Sequence, residues 1–404
     1  MESMVDKTLT FIGFTAVSDG ASVWTHFSTG RIVEQLARKF KHVYWCANVI
    51  SSESSKRYSY QVPSNVTLIP MPRFGSTLGG LFKFRELRKS YDEGVRLGDY
   101  VLIRGLLPWT GAIYRSCRRY RKRPLHWIVG NSYRLMREGC RDNSVKDFMA
   151  LVYAWRWYRN VRKLIGKSSG AALCNGCELY EMMRGTNRYE IVSSTVTKGE
   201  FFYREDTCRN DVVRVVTTCF IRPEKGVEYL IDAMAKVHTS KKVELYCIGS
   251  FEKGTGYREK LLERIRENGL DGRVHFMGYR DPEEFTEFYK TCDIFVLASL
   301  SEGTPRCILE SRAAGLPTIA TNVGGIPSSV TDREDGMLVP SKDSSAIAAA
   351  VDTIIEDGEL RRKLIKNGYE TAGKWTLENF VDRTVKALDE INEGICSGPE
   401  NLDS

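Results

Sequence analysis

Several signatures are missing from this 404-residue chain, and each absence closes a route. No stretch of about 18 apolar residues occurs, so no membrane-crossing helix is expected. The opening MESMVDKTLTFIGF has no basic segment leading into an apolar run, so no signal peptide is expected. Histidine is scarce, five in all, and dispersed, without zinc-ligand spacing. No Asp-x-Asp pair occurs, and neither a Walker A loop nor a G-x-G-x-x-G loop is present. The cysteines number eleven, odd and scattered, which suits reduced thiols in a cytosolic protein better than a disulfide framework. Cys174-Asn-Gly-Cys177 is formally C-x-x-C. With no second pair nearby it reads as a strand end and a helix cap rather than a redox or metal site. No internal repeat is found.

What is present is ordinary in bulk and uneven in distribution. The chain is 42% hydrophobic and 27% charged, and long enough for two domains with full cores. The net charge of +8 hides a division: residues 1–200 carry 32 Lys and Arg against 16 Asp and Glu, whereas residues 201–404 carry 27 against 35. A basic first half suits phosphate-rich ligands or an anionic membrane surface.

Hydrophobic runs of strand length alternate with helix-period segments along the whole chain. Strands are expected near 8–15, 42–50, 66–72, 99–104, 125–129, 170–175 and 190–196, with helices between most of them. The second half repeats the plan, with strands near 212–218, 242–249, 273–278, 293–298, 318–321 and 337–339. The fold class is therefore α/β, with two doubly wound, Rossmann-like domains. The polar stretch 197–210 marks the expected boundary, giving a first domain over 1–203 and a second over 204–375. A last helix over 376–395 is expected to pack back on the first domain, and the tail 396–404 to be disordered.

Ligands in such sheets sit beyond the carboxyl ends of the strands, so the strand-to-helix loops matter most. The loop that follows the apolar run at 293–298 reads Ser-Glu-Gly-Thr-Pro, with a second glutamate eight positions on. Thr304 fits a helix N-cap and Pro305 a first helical position, while Gly315 fits the residue past the helix end. Two readings fit Glu302 and Glu310. One is a surface turn with an Arg306–Glu310 helix pair. The other is an anion site at a helix start flanked by carboxylates that take hydroxyls, as a nucleotide sugar would require. Arg222 and Lys225 project from the loop after the strand at 212–218, where two cations beside a helix start suit a diphosphate, or simply solvent. Gly249, Ser250, Gly278, Tyr279 and Arg280 end two further strands of the same half.

The segment 147–167, DFMALVYAWRWYRNVRKLIGK, combines aromatics with cations. Phe148, Val152, Trp155, Tyr158 and Ile165 form one helical stripe, and Arg156, Arg159, Arg162, Lys163 and Lys167 lie mostly elsewhere. That suits either the surface of an anionic membrane or an amphipathic helix packed on its own domain. Arg118, Arg119, Arg121, Lys122 and Arg123 add a basic cluster. No nucleic-acid module accompanies these cations, so no nucleic-acid partner is expected.

Arg222-Pro-Glu-Lys-Gly226, the Ser301–Glu310 element, the run Ala313–Pro327, Asp335–Pro340 and Trp375 together resemble the retaining GT-B glycosyltransferases of family four, also called group 1. The likeness is strong from about Arg214 to Trp375 and weak before residue 200. It implies two domains with an interdomain cleft and a nucleotide diphosphate-sugar donor, a UDP-sugar first among them. It implies no cofactor and no metal. Glu302, Lys225 and Arg222 would be catalytic. Glu310, Gly303, Thr304, Gly249, Tyr279, Arg280 and Gly20 would bind donor, and Asn131 would stand on the acceptor or donor side. Lys225 would neutralise the diphosphate, Glu302 would take donor-sugar hydroxyls and Glu310 the ribose hydroxyls. Two positions depart from the pattern: Phe220 stands where the family carries an arginine, and Gly130-Asn131 stands where it often carries a His-Asp pair.

The resulting expectation is a cytoplasmic glycosyltransferase, peripheral on the inner face of the cell membrane through 147–167, that uses a lipid-linked or glycan acceptor in surface polysaccharide or glycolipid synthesis. A soluble sugar-phosphate synthase or epimerase, and an inactive glycosyltransferase-like scaffold, are the rival readings.

Overall fold

The computed structural model describes residues 5–18, 22–50, 58–72, 82–105, 107–130, 145–252, 254 and 256–395. Gly20, Asn131 and the tail 396–404 lie outside the described residues. The chain forms two compact units, Met1–Val192 with Leu377–Ser404, and Ser193–Thr376.

The first unit is built on β1 (Val5–Ser18), β2 (Val23–Thr25), β3 (Phe40–Ile50), β4 (Tyr60–Gln61), β5 (Val66–Met71), β6 (Tyr100–Arg104), β7 (Pro124–Ile128), β8 (Ala171–Asn175) and β9 (Arg188–Ile191). The parallel strands run in the order β5-β3-β1-β6-β7-β8-β9. Every residue of β7 and β8 is buried, as strands covered on both faces must be. The short antiparallel β2 and β4 extend the end of β1 and were not anticipated; three and two residues long, they carry too little alternation to register.

Helices cover both faces. Phe27–Lys39 and the final helix Leu377–Glu393 close one core with Phe11, Trp45 and Trp127. Phe380 meets the Trp127 ring at 4.9 Å, and the Tyr100 hydroxyl donates to Asp389 Oδ1 at 2.6 Å. Phe84–Leu97, Thr110–Arg119 and Val145–Lys167 close the other core with Tyr91, Tyr114, Val161 and Ile165. The stripe expected for the last of these is rotated. The helix buries Ala154, Trp157, Tyr158, Val161 and Ile165, and leaves Phe148 65% and Trp155 51% exposed. Both stripes have helical spacing, and only the sheet beneath chooses between them.

The second unit carries β10 (Val212–Thr218), β11 (Lys242–Ile248), β12 (Val274–Gly278), β13 (Ile294–Leu297), β14 (Thr318–Thr321) and β15 (Met337–Val339), all parallel. Their order is β12-β11-β10-β13-β14-β15. The direction of winding therefore reverses between β10 and β13, and a crevice opens at such a point beyond the carboxyl ends.

The division between the units falls at Val192–Ser193, earlier than the expected 203/204. The polar stretch 197–210 expected to mark the boundary is tied to the second unit. The Arg204 guanidinium donates to the carbonyls of Ala314, Lys290 and Tyr289, at 3.2, 3.2 and 2.9 Å, so it caps two helix ends at once. Asp206 accepts from Arg361 Nε at 2.6 Å.

Candidate active site

The loops that leave β10 and β13 meet at the reversal point. Lys225 ends a short 3-10 turn, Pro223–Lys225, that follows Arg222. Gly226 then turns the chain into the helix Val227–Met234 with φ +61. A Cβ at Gly226 would stand 2.1 Å from the Ala298 carbonyl oxygen, so only glycine lets these two loops touch. The Leu300 amide donates to the Glu224 carbonyl at 2.8 Å and locks the two loops together. A third loop, after β14, lies against them. A Cβ at Gly324, also at φ +61, would fall 1.8 Å from the Glu302 carbonyl oxygen, and the Gly325 amide donates to that oxygen at 3.3 Å.

This packing brings two of the expected residues into contact. Lys225 Nζ donates to Glu302 Oε1 at 2.6 Å, both side chains being mostly buried. Ser299 Oγ, itself buried, donates to the same oxygen at 2.7 Å. Among the described residues no donor reaches Oε2, so one carboxylate oxygen stays open for a hydroxyl. Ser299 was not anticipated, although its place three residues before Glu302 in a tight turn is the signal that could have found it.

Glu310 lies on the helix Arg306–Ala313, and its Oε1 accepts from Thr195 Oγ1 at 3.2 Å. That helix starts one residue later than expected. Pro305 is its N-cap, extended at ψ 118, and Thr304 lies before it. A proline ring stiffens the turn whether it stands at the cap or just inside it. The far end follows expectation: Gly315 adopts φ +68, its amide reaches the Arg312 carbonyl, and the Leu316 amide reaches that of Ser311.

The electrostatics tie these groups together. Burial pushes the Cys307 thiol well up; the charges of Glu302 and Glu310 push it further, and Lys225 opposes them. Cys219 is pushed up to about 12 by burial, with Lys225 and Arg222 opposing Glu302. Both thiols thus sit within reach of the ions on which the site depends, and both are held neutral.

Arg222 Nε stands 3.6 Å from Glu224 Oε2, with its side chain 41% exposed. Phe220 is exposed beside it, and Gly249 packs on the Cys219 carbonyl at the end of β11. Tyr279 and Arg280 follow the edge strand β12 and are engaged locally, Tyr279 with Asp281 at 3.2 Å and Arg280 with Glu284 at 3.9 Å. Cys174 lies within β8, one residue before its end, and Cys177 opens the next helix, in separate elements. Among the described residues no group of three His, Cys, Asp or Glu is placed to hold a metal ion, and no helix is long and apolar enough to cross a membrane.

Comparison with known proteins converges on this unit. Residues 214–371 match the family model described as glycosyl transferases group 1. The lipopolysaccharide core biosynthesis glycosyltransferase LpsE of Rhizobium meliloti is 32% identical over 165 residues, which is 41% of this chain and 46% of that protein. A D-inositol 3-phosphate glycosyltransferase of Corynebacterium efficiens is 26% identical over 181 residues, 44% of this chain and 43% of that protein. The chain thus spans less than half the length of these curated relatives in its match. Over the whole chain the fold is shared with Anabaena Alr3699/HepE, solved in complex with UDP. That likeness has a TM-score of 0.69 and 17% identity over 95% of this chain and 100% of that one. It is shared also with the sucrose-phosphate synthase of Thermosynechococcus elongatus, at a TM-score of 0.70 and 16% identity over 95% and 100%. The chain has the GT-B fold of these structures, and its residues 214–371 are similar to the glycosyl transferases group 1 family.

Proposed function

We propose that the chain is a retaining, metal-independent glycosyltransferase. It moves a sugar from a nucleoside diphosphate sugar, a UDP-sugar first among candidates, to a lipid-linked or glycan acceptor. The observation that carries this reading is the Lys225–Glu302 pair at the point where the second sheet reverses its winding. A cation and a carboxylate held side by side at a phosphate-binding edge match the two ends of such a donor.

In this reading the bond between the anomeric carbon and the diphosphate breaks, and its electrons leave with the diphosphate. Lys225 and Arg222 stabilise that growing charge, together with the amide groups at the start of Arg306–Ala313. Dipoles and cations already fixed by the fold need no reorganisation as the charge develops. Glu302 accepts from donor-sugar hydroxyls through Oε2, Glu310 from the ribose, and Gly303–Thr304 border the phosphates. The acceptor oxygen bonds to the anomeric carbon on the face the diphosphate leaves and gives its proton to the departing diphosphate, so configuration is retained. The similarity to a lipopolysaccharide core biosynthesis glycosyltransferase supports an acceptor in surface polysaccharide or glycolipid synthesis. The chain would act in the cytoplasm, on the inner face of the membrane.

The test is thermal shift against UDP-, GDP- and ADP-sugars, without metal and then with chelator. A ligand at about 100 times its dissociation constant adds roughly 2.7 kcal/mol to stability. A shift with one nucleotide, unchanged by chelator and reduced in Lys225→Met, is expected. No shift with any of them overturns the donor site, and a shift abolished by chelator overturns the metal-free reading.

A further inference from the structure

We propose that Thr195 is a positioning residue of the donor site: its hydroxyl holds the Glu310 carboxylate in the orientation that takes the two ribose hydroxyls. Glu310 meets the ribose in the function proposed above, and this role for Thr195 rests on that reading.

Thr195 belongs to the stretch that opens the second unit at Ser193. Residues 192–197 form neither helix nor strand, yet Ser193, Ser194, Thr195 and Val196 are all buried. A buried irregular stretch must find partners for its polar groups. This one runs along the helix Arg306–Ala313. Thr195 Oγ1 donates to Glu310 Oε1 at 3.2 Å. Val196 packs in one apolar cluster with Ala313. The Phe202 amide donates to the Ala313 carbonyl at 2.8 Å, and Arg204 Nε donates to the Ala314 carbonyl at 3.2 Å. From Thr195 to Arg204 the chain thus follows the helix from Glu310 to its last carbonyls.

Local bonds fix where Thr195 stands on that path. The Val196 amide donates to Ser194 Oγ at 3.1 Å, which closes a tight turn with Thr195 at its middle. Two residues on, the amide and hydroxyl of Thr197 donate to Glu200 Oε2 at 2.7 and 2.9 Å, a capping box on the short turn Lys198–Glu200. The segment is stiffened on both sides of Thr195, so its hydroxyl is held against Glu310.

A glutamate side chain turns about three bonds, and a carboxylate that meets two neighbouring ribose hydroxyls must lie in one plane. A hydroxyl carries a single hydrogen, and giving it to Oε1 fixes that plane before the donor arrives. Ser299 does the same for Glu302, so each of the two carboxylates has one oxygen held by a hydroxyl. Glu310 acts there as an anion: burial raises the Tyr289 phenol and the Cys307 thiol, and the Glu310 charge adds to both shifts. The bonds of Phe202 and Arg204 anchor the segment without the Thr195 hydroxyl, so packing and positioning can be separated by experiment.

The experiment is calorimetric titration of UDP, GDP and ADP, each beside its 2′,3′-dideoxy form, into the parent chain, Thr195→Val and Thr195→Ser. Valine keeps the shape and loses the hydroxyl; serine keeps the hydroxyl. The parent should bind one nucleotide and bind its dideoxy form more weakly. Thr195→Val should weaken the ribose form roughly three- to tenfold, the scale of one side chain newly free to turn, and leave the dideoxy form unchanged. Thr195→Ser should restore the discrimination. Thermal midpoints well above the titration temperature certify the fold of each variant, and Thr195→Ala gives the same reading if valine is not tolerated. Equal weakening of both forms would make Thr195 a packing residue and overturn the proposal. So would undiminished discrimination without the hydroxyl, a serine variant that fails to restore it, or a parent without preference for the ribose form. A parent that binds no nucleotide removes the donor reading and this role with it. A parent that discriminates, beside a valine variant that discriminates equally, removes this role alone.

Discussion

Lys225 Nζ and Glu302 Oε1 are 2.6 Å apart although 77 residues separate them in the chain. One follows β10 and the other follows β13, the two strands that flank the reversal of the sheet. Two charges so enclosed would each cost free energy alone. Each serves as the counterion of the other, and in the function proposed above a donor, with its diphosphate and hydroxyls, would offer both a partner.

Removing either charge should therefore act on different parts of the same event. Lys225→Met should weaken donor affinity at least tenfold, because the diphosphate loses its fixed cation. Glu302→Gln keeps an oxygen that can accept from Ser299, so the fold should hold, while turnover falls by roughly 10²–10³, the scale of one lost transition-state contact. The two changes touch one ion pair and should not add; a coupling of about 0.5–3 kcal/mol is expected. Calorimetric titration of donor and transfer of labelled sugar, over the four-member cycle, check this. Additive losses would mean that the pair does not act as a unit.

Gly324 carries a sharper steric prediction. A Cβ there would fall 1.8 Å from a backbone oxygen of Glu302, and the residue holds φ +61. A backbone atom cannot swing aside as a side-chain tip does, so Gly324→Ala must push the Glu302 loop away from Lys225. Left-handed backbone alone costs about 1–2 kcal/mol for a residue with a side chain. Gly324→Ala should lower thermal stability and raise the donor KM, whereas Gly111→Ala, where the added atom meets open space, should do neither.

His126 predicts an acid-side loss of stability. It is wholly buried, and burial pushes its pKa down to about 4 from 6.5, against the hydrogen bond to the Gly105 carbonyl. That carbonyl can only accept, so Nε2 carries the proton and Nδ1 accepts from Tyr114. The unfolded chain binds more protons between the two values, so stability rises with pH across that window. It is fully present above about 6.5 and lost as the pH falls to about 4, a term of about 3 kcal/mol. Denaturant midpoints measured between pH 7 and 5, above the range where carboxylates titrate, should fall in the parent and stay flatter in His126→Gln. Parallel profiles would show that His126 titrates normally.

Much of this was open to reading in the sequence, for local reasons. Gly226, Gly315 and Pro305 punctuate short elements, and punctuation needs only neighbours in the chain. Buried strands such as Ile294–Leu297 stand out because both their faces are apolar. What stayed hidden depends on distant partners. Arg204 sits in a polar stretch that reads as the boundary, and the carbonyls of Tyr289, Lys290 and Ala314 tie it to the second unit. The buried face of Val145–Lys167 could not be chosen from two stripes of equal spacing without the sheet below it. Ser299 is an ordinary residue until Glu302 turns back onto it.

Arg312 is the extreme case, and it leads to the last prediction. It lies two residues after Glu310 on the same helix, fully buried. Nη1 donates to the Ser329 carbonyl at 2.7 Å, and Nη2 donates to the Asp335 carbonyl at 2.7 Å and to Asp335 Oδ1 at 2.9 Å. Burial lowers the pKa of this guanidinium while the charge of Asp335 opposes the loss. Asp335 has other donors, the Thr331 amide at 2.7 Å and Thr371 Oγ1 at 3.2 Å, but Arg312 has no second carboxylate among the described residues. Breaking the pair should therefore be asymmetric. Asp335→Asn strands a buried cation and should cost about 3–5 kcal/mol, whereas Arg312→Met leaves a carboxylate that keeps two donors and should cost less. The double variant should recover part of the loss from Asp335→Asn. Because the pair anchors the helix that carries Glu310, the donor KM of Arg312→Met should also rise while turnover at saturation changes little. Chemical denaturation of the three variants with donor kinetics on Arg312→Met checks both statements, and an unchanged KM would confine Arg312 to holding the fold.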